Sequence, residues 1–268
     1  MHVHKEKMPI ALDLPGAQLQ MKEPREIIAQ LEETATLPEG EDERFFGYAV
    51  IGLPFDTGHV LGLRRFLASS IGPGYASVWL RDPVGKWTFY QDAPPELACS
   101  RYFGKDIEEA ILQPIKVEWN GPRSFTVSSE GKHKLEWRVA VKPTLVTRVM
   151  NWAGSLMPLS WWHRPTVLSL MGAAARVGLG TGSLRLTGRT PNGQKYVANP
   201  RLVWLVEESR ARLDGKDLGR PGPLPEQARL GDFLIPQRGV FAIASAFLES
   251  FDPQRHLAAA SKRADLQL

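Results

Sequence analysis

The chain has a single cysteine, Cys99, among its 268 residues. One cysteine cannot form an intramolecular disulfide or supply a thiolate metal cluster, so a reducing compartment is expected. Near the N-terminus, Pro9, Asp13 and Pro15 interrupt the apolar residues, and a secretory signal needs an unbroken apolar core. We therefore expect a cytoplasmic protein in which Cys99 is a small buried or half-buried filler.

Long apolar runs and charge of one sign are also scarce. The longest uncharged stretches, residues 66–80 and 149–162, are too short to cross a bilayer. The formal net charge is only +4, and the Lys and Arg residues are scattered along the chain. Nucleic-acid binding is therefore not expected. The Arg64-Arg65 pair is expected to be solvated surface, as such pairs usually are.

Residues 115–142 alternate apolar and polar side chains. The apolar set is Ile115, Val117, Trp119, Phe125, Val127, Leu135, Trp137, Val139 and Val141. A period of two predicts strands with one dry face and one wet face. Turn signals at 120–122 and 129–131 divide the segment. The segment therefore predicts a three-stranded antiparallel meander.

The remaining pattern predicts further strands and a few helices. Strands are expected at 45–53, 59–66, 76–81, 86–91, 183–189, 194–199, 201–206 and 240–248, with helices at 24–33 and 105–113 and a helical pair within 143–180. The fold class is mainly β: a lipocalin-like antiparallel barrel with a helical insertion and short flanking helices. We expect an arm and short helix at 1–43, the barrel domain at 44–250 with its insertion at 143–180, and a tail at 251–268. Closure would shelter an apolar cavity inside the barrel.

Three segments carry a resemblance to a known family. They are the aromatic hairpin 45–59, the second hairpin 77–90, and the course from 135–143 through a helical interruption to 182–188 and Val203-Trp204. Together they resemble the first domain of the AttH-like proteins, a calycin-type family that includes carotenoid 1,2-hydratases and pericyclic cyclases. The resemblance implies a lipocalin-like barrel and cofactor-independent hydration, isomerisation or cyclisation.

Four side chains are candidates for catalysis: Asp56, His59, Tyr90 and Glu207. Asp56 lies three residues from His59 across a turn and would orient its imidazole; the alternative is a surface turn histidine. Glu207 or its neighbour Glu208 would face the apolar side if the alternation after Trp204 persists, which would raise the pKa of that carboxyl. The alternative is a strand end in solvent. Tyr90 would present a hydroxyl to a ligand, or have an ordinary core partner.

Five aromatic residues are candidates for ligand binding: Tyr48, Trp79, Trp137, Tyr196 and Trp204. They lie on predicted strands, where they would line an apolar interior. The expected ligand is a hydrophobic small molecule such as an isoprenoid, polyketide or lipid. Whether the protein only binds it or also transforms it, in that case without a cofactor, stays open. No metal is expected, because the only histidine pair at ligand spacing is His2 and His4.

The helical insertion suggests a different function. Trp152, Trp161 and Trp162 lie there among arginines. Tryptophan-rich apolar helices beside arginines rest at a bilayer interface or cap a hydrophobic pocket. The alternative function is therefore a membrane-peripheral or protein-interaction module. Plain packing of these helices against the sheet stays open.

Overall fold

The computed structural model describes residues 22–157, 161 and 164–257, which form a mainly β fold. The strands are β1 (Glu43–Pro54), β2 (Val60–Ser69), β3 (Tyr75–Arg81), β4 (Trp87–Gln91), β5 (Glu109–Leu112), β6 (Ile115–Trp119), β7 (Ser124–Ser129), β8 (Leu135–Lys142), β9 (Thr187–Arg189), β10 (Lys195–Leu213), β11 (Lys216–Asp217), β12 (Arg229–Leu230), β13 (Phe233–Leu234) and β14 (Val240–Leu248). The helices are α1 (Pro24–Thr34), α2 (Ser100–Phe103), α3 (Leu145–Leu156) and α4 (Pro165–Leu179), with a 3-10 turn at Pro95–Leu97.

One curled sheet organises the molecule. Its strand order is β5-β4-β3-β2-β1-β14-β10-β8-β7-β6, and its neighbours are antiparallel except for the parallel pair of β4 and β5. The two end strands, β5 and β6, are separated in the chain only by Gln113 and Pro114. The sheet must therefore curl until its two ends meet at this corner. The expected barrel-like antiparallel fold with a helical insertion is confirmed.

The side chain of Gln113 fastens this corner. The backbone N–H of Gln113 donates to Gln91 O at 2.9 Å, continuing the pairing with β4. Its buried side-chain amide donates to Ser129 Oγ at 2.6 Å and to His133 O at 3.1 Å, beyond the other end of the sheet. Ser129 Oγ in turn donates to Pro114 O at 2.7 Å. One residue thus joins β4 to the end of β7.

Buried side chains occupy the concave side of the sheet. The ring of Phe241 on β14 lies 5.6 Å from that of Phe125 on β7 and 6.0 Å from that of Trp119 on β6. Strands three and four places apart in the sheet can make such contacts only across its interior. Ile27, Ile28 and Leu31 of α1 belong to the same core. The expected ligand cavity inside the barrel is therefore wrong, because aromatic and aliphatic residues fill that space.

Part of the sheet is covered on its outer face as well. An aromatic cluster with α2 and the segment 224–235 packs on β1–β4. Ala175 and Leu179 of α4, with Met150 of α3, pack on β10 and β14. Strands buried on both faces have near-continuous apolar sequences, as in 240–248. The alternating strands β6–β8 have one solvated face.

Two predicted elements differ from the structure. Residues 105–113 were expected to be helical, but Glu109–Leu112 forms β5, because it pairs with β4. The strands expected at 194–199 and 201–206 are a single 19-residue strand, β10. Its ladders are irregular between Pro200 and Leu202 and between Val206 and Glu208. Proline within a strand is tolerated at such irregularities.

We predict that Gln113→Ala lowers the free energy of unfolding by about 1–2 kcal/mol, since it removes the two hydrogen bonds that the side-chain amide donates at this corner. Urea denaturation measures this change. The exposed Gln30→Ala on α1 is the matched control and should stay within about 0.5 kcal/mol of the wild type. Equal stabilities for the two variants would show that the corner does not depend on this side chain.

Candidate ligand cavity

A partly enclosed apolar cavity of about 130 Å³ lies on the outer face of the sheet, over β1, β14 and β10. Its floor is made of small residues that neighbour one another across the three strands: Gly47, Ala49, Ala198, Ala242, Ala244 and Ala246. Gly47 pairs with Ala244, Ala49 with Ala242, and Ala198 with Ala246. Since none of these side chains is larger than a methyl group, the sheet surface leaves a hollow between the larger residues around it.

Aromatic residues form the walls: Phe45, Phe66, Tyr75, Trp79, Tyr102, Phe103, Tyr196 and Phe233. The rings of Phe45 and Tyr102 meet edge to face at 5.9 Å, and those of Trp79 and Phe103 are 4.8 Å apart. Tilted and edge-to-face contacts of this kind hold aromatic rings in defined orientations. The cavity is therefore preformed by its own packing.

A buried carboxylate, that of Glu43, fixes the wall that α2 contributes. Tyr102 Oη donates to Glu43 Oε2 at 2.6 Å, and Arg101 Nη2 donates to Glu43 Oε1 at 2.7 Å. Gln194 Nε2 on the segment before β10 donates to Glu43 Oε2 at 3.1 Å. Burial, together with the negative charge of Glu43, raises the pKa of Tyr102 well above its usual range. The network ties α2 to β1 and β10 across the cavity.

Two arginines line the cavity, Arg64 and Arg185. Arg185 is exposed, and its Nη1 lies 3.5 Å from Asp232 Oδ1. Arg64 is the buried one, with an exposed fraction of 7%. Its Nη1 donates to Val50 O at 2.8 Å and to Leu63 O at 2.9 Å, and its Nη2 donates to Ile51 O at 3.0 Å. These carbonyls lie where the pairing of β1 with β2 becomes irregular. Arg64 therefore satisfies backbone acceptors that the ladder leaves without a partner.

The charge of Arg64 has no acidic partner among the described residues, whose ion pairs all involve other groups. Its guanidinium carbon lies 4.3 Å from the ring centroid of Trp79 and 5.5 Å from that of Phe233. Burial lowers the pKa of Arg64 to about 10, so the group remains a cation at neutral pH. The cavity wall thus carries a positive charge offset only by carbonyl dipoles and aromatic faces.

Two polar groups beside Arg64 are neutral. Tyr75 Oη and Cys99 Sγ are 3.4 Å apart and both line the cavity. Burial raises the pKa of the Cys99 thiol and that of Tyr75. The indole N–H of Trp79 is buried with no hydrogen-bond partner. Arg64 and Trp79 therefore give the cavity donors, and the groups around them supply no negative charge.

The structure places the predicted ligand-binding residues in two regions. Trp79 and Tyr196 line the cavity, and so does the segment of β1 that carries Tyr48. The ring of Tyr48 itself packs in the interior, 5.8 Å from Phe241. Trp204 also packs on Phe241 at 5.8 Å. Trp137 is fully buried in the interior, where its Nε1 donates to Ser209 Oγ at 2.8 Å.

The predicted Asp56 and His59 pair makes other contacts. Asp56 Oδ1 accepts from Arg220 N at 3.0 Å, and His59 Nδ1 lies 2.9 Å from Thr57 Oγ1. Burial lowers the pKa of His59, opposed by the negative charge of Asp82. Thr57, rather than Asp56, therefore positions the imidazole. Neither residue lines the cavity described above.

Tyr90 and Glu207 also lie apart from the cavity. Tyr90 is in the interior core, where burial raises its pKa to about 12. Glu207 is exposed and pairs with Lys142, its Oε1 2.8 Å from Lys142 Nζ. The ladder with β8 skips Glu207, because Val206 pairs with Val141 and Glu208 with Ala140. This extra residue reverses the alternation, so both glutamates face solvent and the expected buried carboxyl is wrong.

Sequence reasoning missed Arg64, the buried cation of the cavity wall. The expectation that it is solvated surface is wrong. The sequence of β2 contains a signal, because Arg64 lies on the same face of the strand as Val60, Gly62 and Phe66. A lone cation on an apolar face of a strand indicates a buried guanidinium with partners. The small residues of β14 are a second signal, because they leave space above the strand. A pattern that counts residues only as apolar or polar does not separate small apolar residues from large ones.

The comparisons with known proteins give no family. No family model matches the chain, and no curated protein matches it. Among solved structures, an acetoacetate decarboxylase from Legionella pneumophila subsp. pneumophila strain Philadelphia 1 is similar at 10% identity and a TM-score of 0.36, covering 85% of this chain and 95% of that one. A second acetoacetate decarboxylase structure has 11% identity and a TM-score of 0.37, covering 79% and 88%. Such low scores assign no chemistry.

The described residues contain neither a metal-binding cluster nor a helix that could span a membrane. No group of three or more His, Cys, Asp and Glu residues there is arranged to hold a metal ion. None of the helices within 22–157 and 164–257 has both the length and the hydropathy to cross a membrane.

We predict that the Cys99 thiol reacts slowly in the native protein. Because Cys99 is the only cysteine and lines the cavity, a disulfide reagent such as 5,5′-dithiobis(2-nitrobenzoate) reports on this site alone. Burial and the raised pKa should slow labelling by at least about tenfold relative to the protein in urea. The double variant Cys99→Ser with Ser155→Cys, whose thiol is exposed on α3, is the control and should react at the unfolded rate. Equal native rates would contradict the packing described here.

Proposed function

We propose that the outer-face cavity binds a small hydrophobic molecule carrying a carboxylate. The observation that carries this proposal is Arg64, a buried cation on an apolar wall with no carboxylate partner among the described residues. Taking a charge out of water is costly unless an opposite charge or good hydrogen bonds compensate. A ligand carboxylate would supply both.

The donors around Arg64 support a carboxylate rather than a neutral group. Its three hydrogen bonds to carbonyls use three of the five N–H groups of a guanidinium, so donors remain for a further acceptor. The unpartnered indole N–H of Trp79 is a second donor on the same wall. Hydrogen bonds from a guanidinium to a carboxylate are among the strongest in proteins.

The size of the cavity limits the ligand. Its volume is about 130 Å³, and an engineered apolar cavity of about 150 Å³ accommodates a benzene molecule. The enclosed space thus holds no more than a single ring or a short branched chain, and a carboxylate beyond it would lie at the open side of this partly enclosed cavity. The proposed ligand is therefore an aromatic or short branched acid no larger than about benzoate, smaller than the isoprenoids and polyketides expected from the sequence. A longer chain would extend toward the hollow beneath α3 and α4, which shares Ile51, Leu184 and Pro200 with this cavity.

A reaction in this cavity would have hydroxyl groups to use. Burial raises the pKa values of Tyr75 and Tyr196, which keeps both hydroxyls protonated. Such groups donate hydrogen bonds to a bound carbonyl, but their raised pKa makes them poor proton donors near neutral pH. The cofactor-independent hydration, isomerisation or cyclisation implied by the AttH-like resemblance stays a prediction, and the binding step is the proposal.

We predict that benzoate binds at least about tenfold more tightly than benzyl alcohol near pH 7, because only benzoate can pair with the Arg64 cation. Isothermal titration calorimetry measures both affinities. The advantage of benzoate should disappear below about pH 4, where the carboxyl is protonated. Equal affinities for the acid and the alcohol, or no binding of either, would overturn the proposal.

Three variants locate the binding. Ala244→Leu fills the floor and should abolish binding of both ligands, whereas Ala140→Leu on the outer face of β8, outside the cavity lining, should leave binding unchanged. Arg64→Gln should weaken benzoate by at least about tenfold and leave benzyl alcohol unchanged. Because Arg64 also supports β1, urea denaturation of this variant must show that it is folded.

A further inference from the structure

One helix of the insertion presents apolar side chains to solvent. Leu145, Val149, Trp152 and Leu156 of α3 have exposed fractions of 80%, 53%, 53% and 65%. Their spacing of four, three and four residues places them on one side of the helix. We call these four residues the α3 face. In a water-facing helix this side would normally carry polar residues.

Polar contacts hold α3 in this orientation. Thr147 and Asn151 are its buried residues. Asn151 Nδ2 donates to Val203 O at 3.1 Å, and Val203 N donates to Asn151 Oδ1 at 2.9 Å. The pairing of β8 with β10 begins only at Leu205, so Val203 has no strand partner on that side. The Asn151 amide takes the place of the missing strand, and the apolar side of α3 must then point outward.

Apolar exposure continues beyond α3. Trp161 in the connection is 46% exposed, and Leu170 and Val177 of α4 are 72% and 87% exposed. Leu168 and Leu179 of α4 are buried, and Leu179 packs on the sheet. The insertion therefore packs on the body through one set of residues and leaves a separate apolar set uncovered. Large exposed apolar patches mark interaction surfaces.

The segment of the chain that forms this surface carries only positive charges. No Asp or Glu occurs anywhere in residues 137–206. The same stretch contains nine basic residues: Arg138, Lys142, Arg148, Arg164, Arg176, Arg185, Arg189, Lys195 and Arg201. Arg148, Arg164 and Arg176 are the ones on or next to the two helices, and all three are exposed. With a net charge of only +4 for the whole chain, the remainder of the protein is net acidic.

We propose that the α3 face, together with Trp161, binds the surface of an anionic lipid bilayer. Tryptophan and aliphatic side chains bordered by cations suit the boundary between head groups and acyl chains. Each Lys or Arg near an anionic membrane is attracted to the head groups, whereas a carboxylate would be repelled. The proposal does not depend on the ligand cavity. Trp162, also expected to contact membranes, lies outside the described residues.

Vesicle co-sedimentation of the full chain tests this. Binding is expected to vesicles of phosphatidylcholine with about 30% phosphatidylglycerol, and to be at least about tenfold weaker with phosphatidylcholine alone. About 0.5 M NaCl should release much of the bound protein, because the head-group charges are screened. Failure to sediment with the anionic vesicles would overturn the proposal.

Variants separate a bilayer from a protein partner. The double variant Val149→Ser with Trp152→Ser should lower the anionic-vesicle affinity by at least about tenfold, since it removes two exposed apolar contacts. Val84→Ser with Leu112→Ser, exposed apolar residues away from the insertion, is the matched control and should bind like the wild type. Unchanged binding of the first variant would contradict the proposal. Self-association in light scattering that only the first variant abolishes, without vesicle binding, would assign the face to a second copy of the chain.

Discussion

The two-residue link between β5 and β6 constrains the whole architecture. These strands are the ends of the ten-strand path, yet only Gln113 and Pro114 lie between them. The chain therefore obliges the sheet to curl, and Gln113 fastens the corner with hydrogen bonds to both sides. The curl creates a narrow interior that Phe241 and its neighbours fill. Any room for a ligand must then lie on the outer face.

On that outer face, one cation serves two purposes. The guanidinium of Arg64 satisfies three carbonyls at the irregular part of β1, which a purely structural role would explain. A structural role does not require an apolar cavity beside the charge, nor the small residues that form its floor. Backbone carbonyls offset a buried positive charge only in part. The combination of an uncompensated cation and an open hollow is what favours an anionic ligand.

The sequence predicted the elements far better than the faces on which their residues lie. The alternation in 115–142 predicted β6–β8 correctly, because those strands have one dry face. The strand expected at 240–248 also forms, as β14. Its continuous apolar sequence does not indicate which side chains face the interior, however, because both faces of this strand are covered. Glu207 has no partner in the ladder of β10 with β8, so the residues after it face the opposite side of the sheet from the one that strict alternation predicts. An alternating pattern contains no signal for such an extra residue. The helix expected at 105–113 failed because pairing with β4 overrides local propensity.

The insertion shows the same limit of sequence periodicity. A helical period in 145–156 correctly predicted a helix, and the apolar side would ordinarily be assigned to the core. The orientation of α3 depends instead on a long-range contact, the two hydrogen bonds between Asn151 and Val203. These two hydrogen bonds form because β8 ends before it can pair with Val203. The sequence of the helix itself does not indicate where β8 ends. A polar residue in the middle of an apolar helix is the available clue, because its partner must be found elsewhere.

The cavity and the insertion share one electrostatic property. Arg64 has no carboxylate partner among the described residues, and residues 137–206 contain no carboxylate at all. Segments of this acid-free stretch, 184–186 and 196–200, line the cavity, while its helices carry the exposed apolar face. Some of its cations are paired with carboxylates from other segments, Lys142 with Glu207 and Arg185 with Asp232. Arg64 on the cavity wall and Arg164 and Arg176 beside the exposed helices have no such ion pair among the described residues, and a positive charge attracts anions over about a Debye length, roughly 10 Å. Carboxylate ligands and anionic head groups would therefore be attracted by different cations of the molecule.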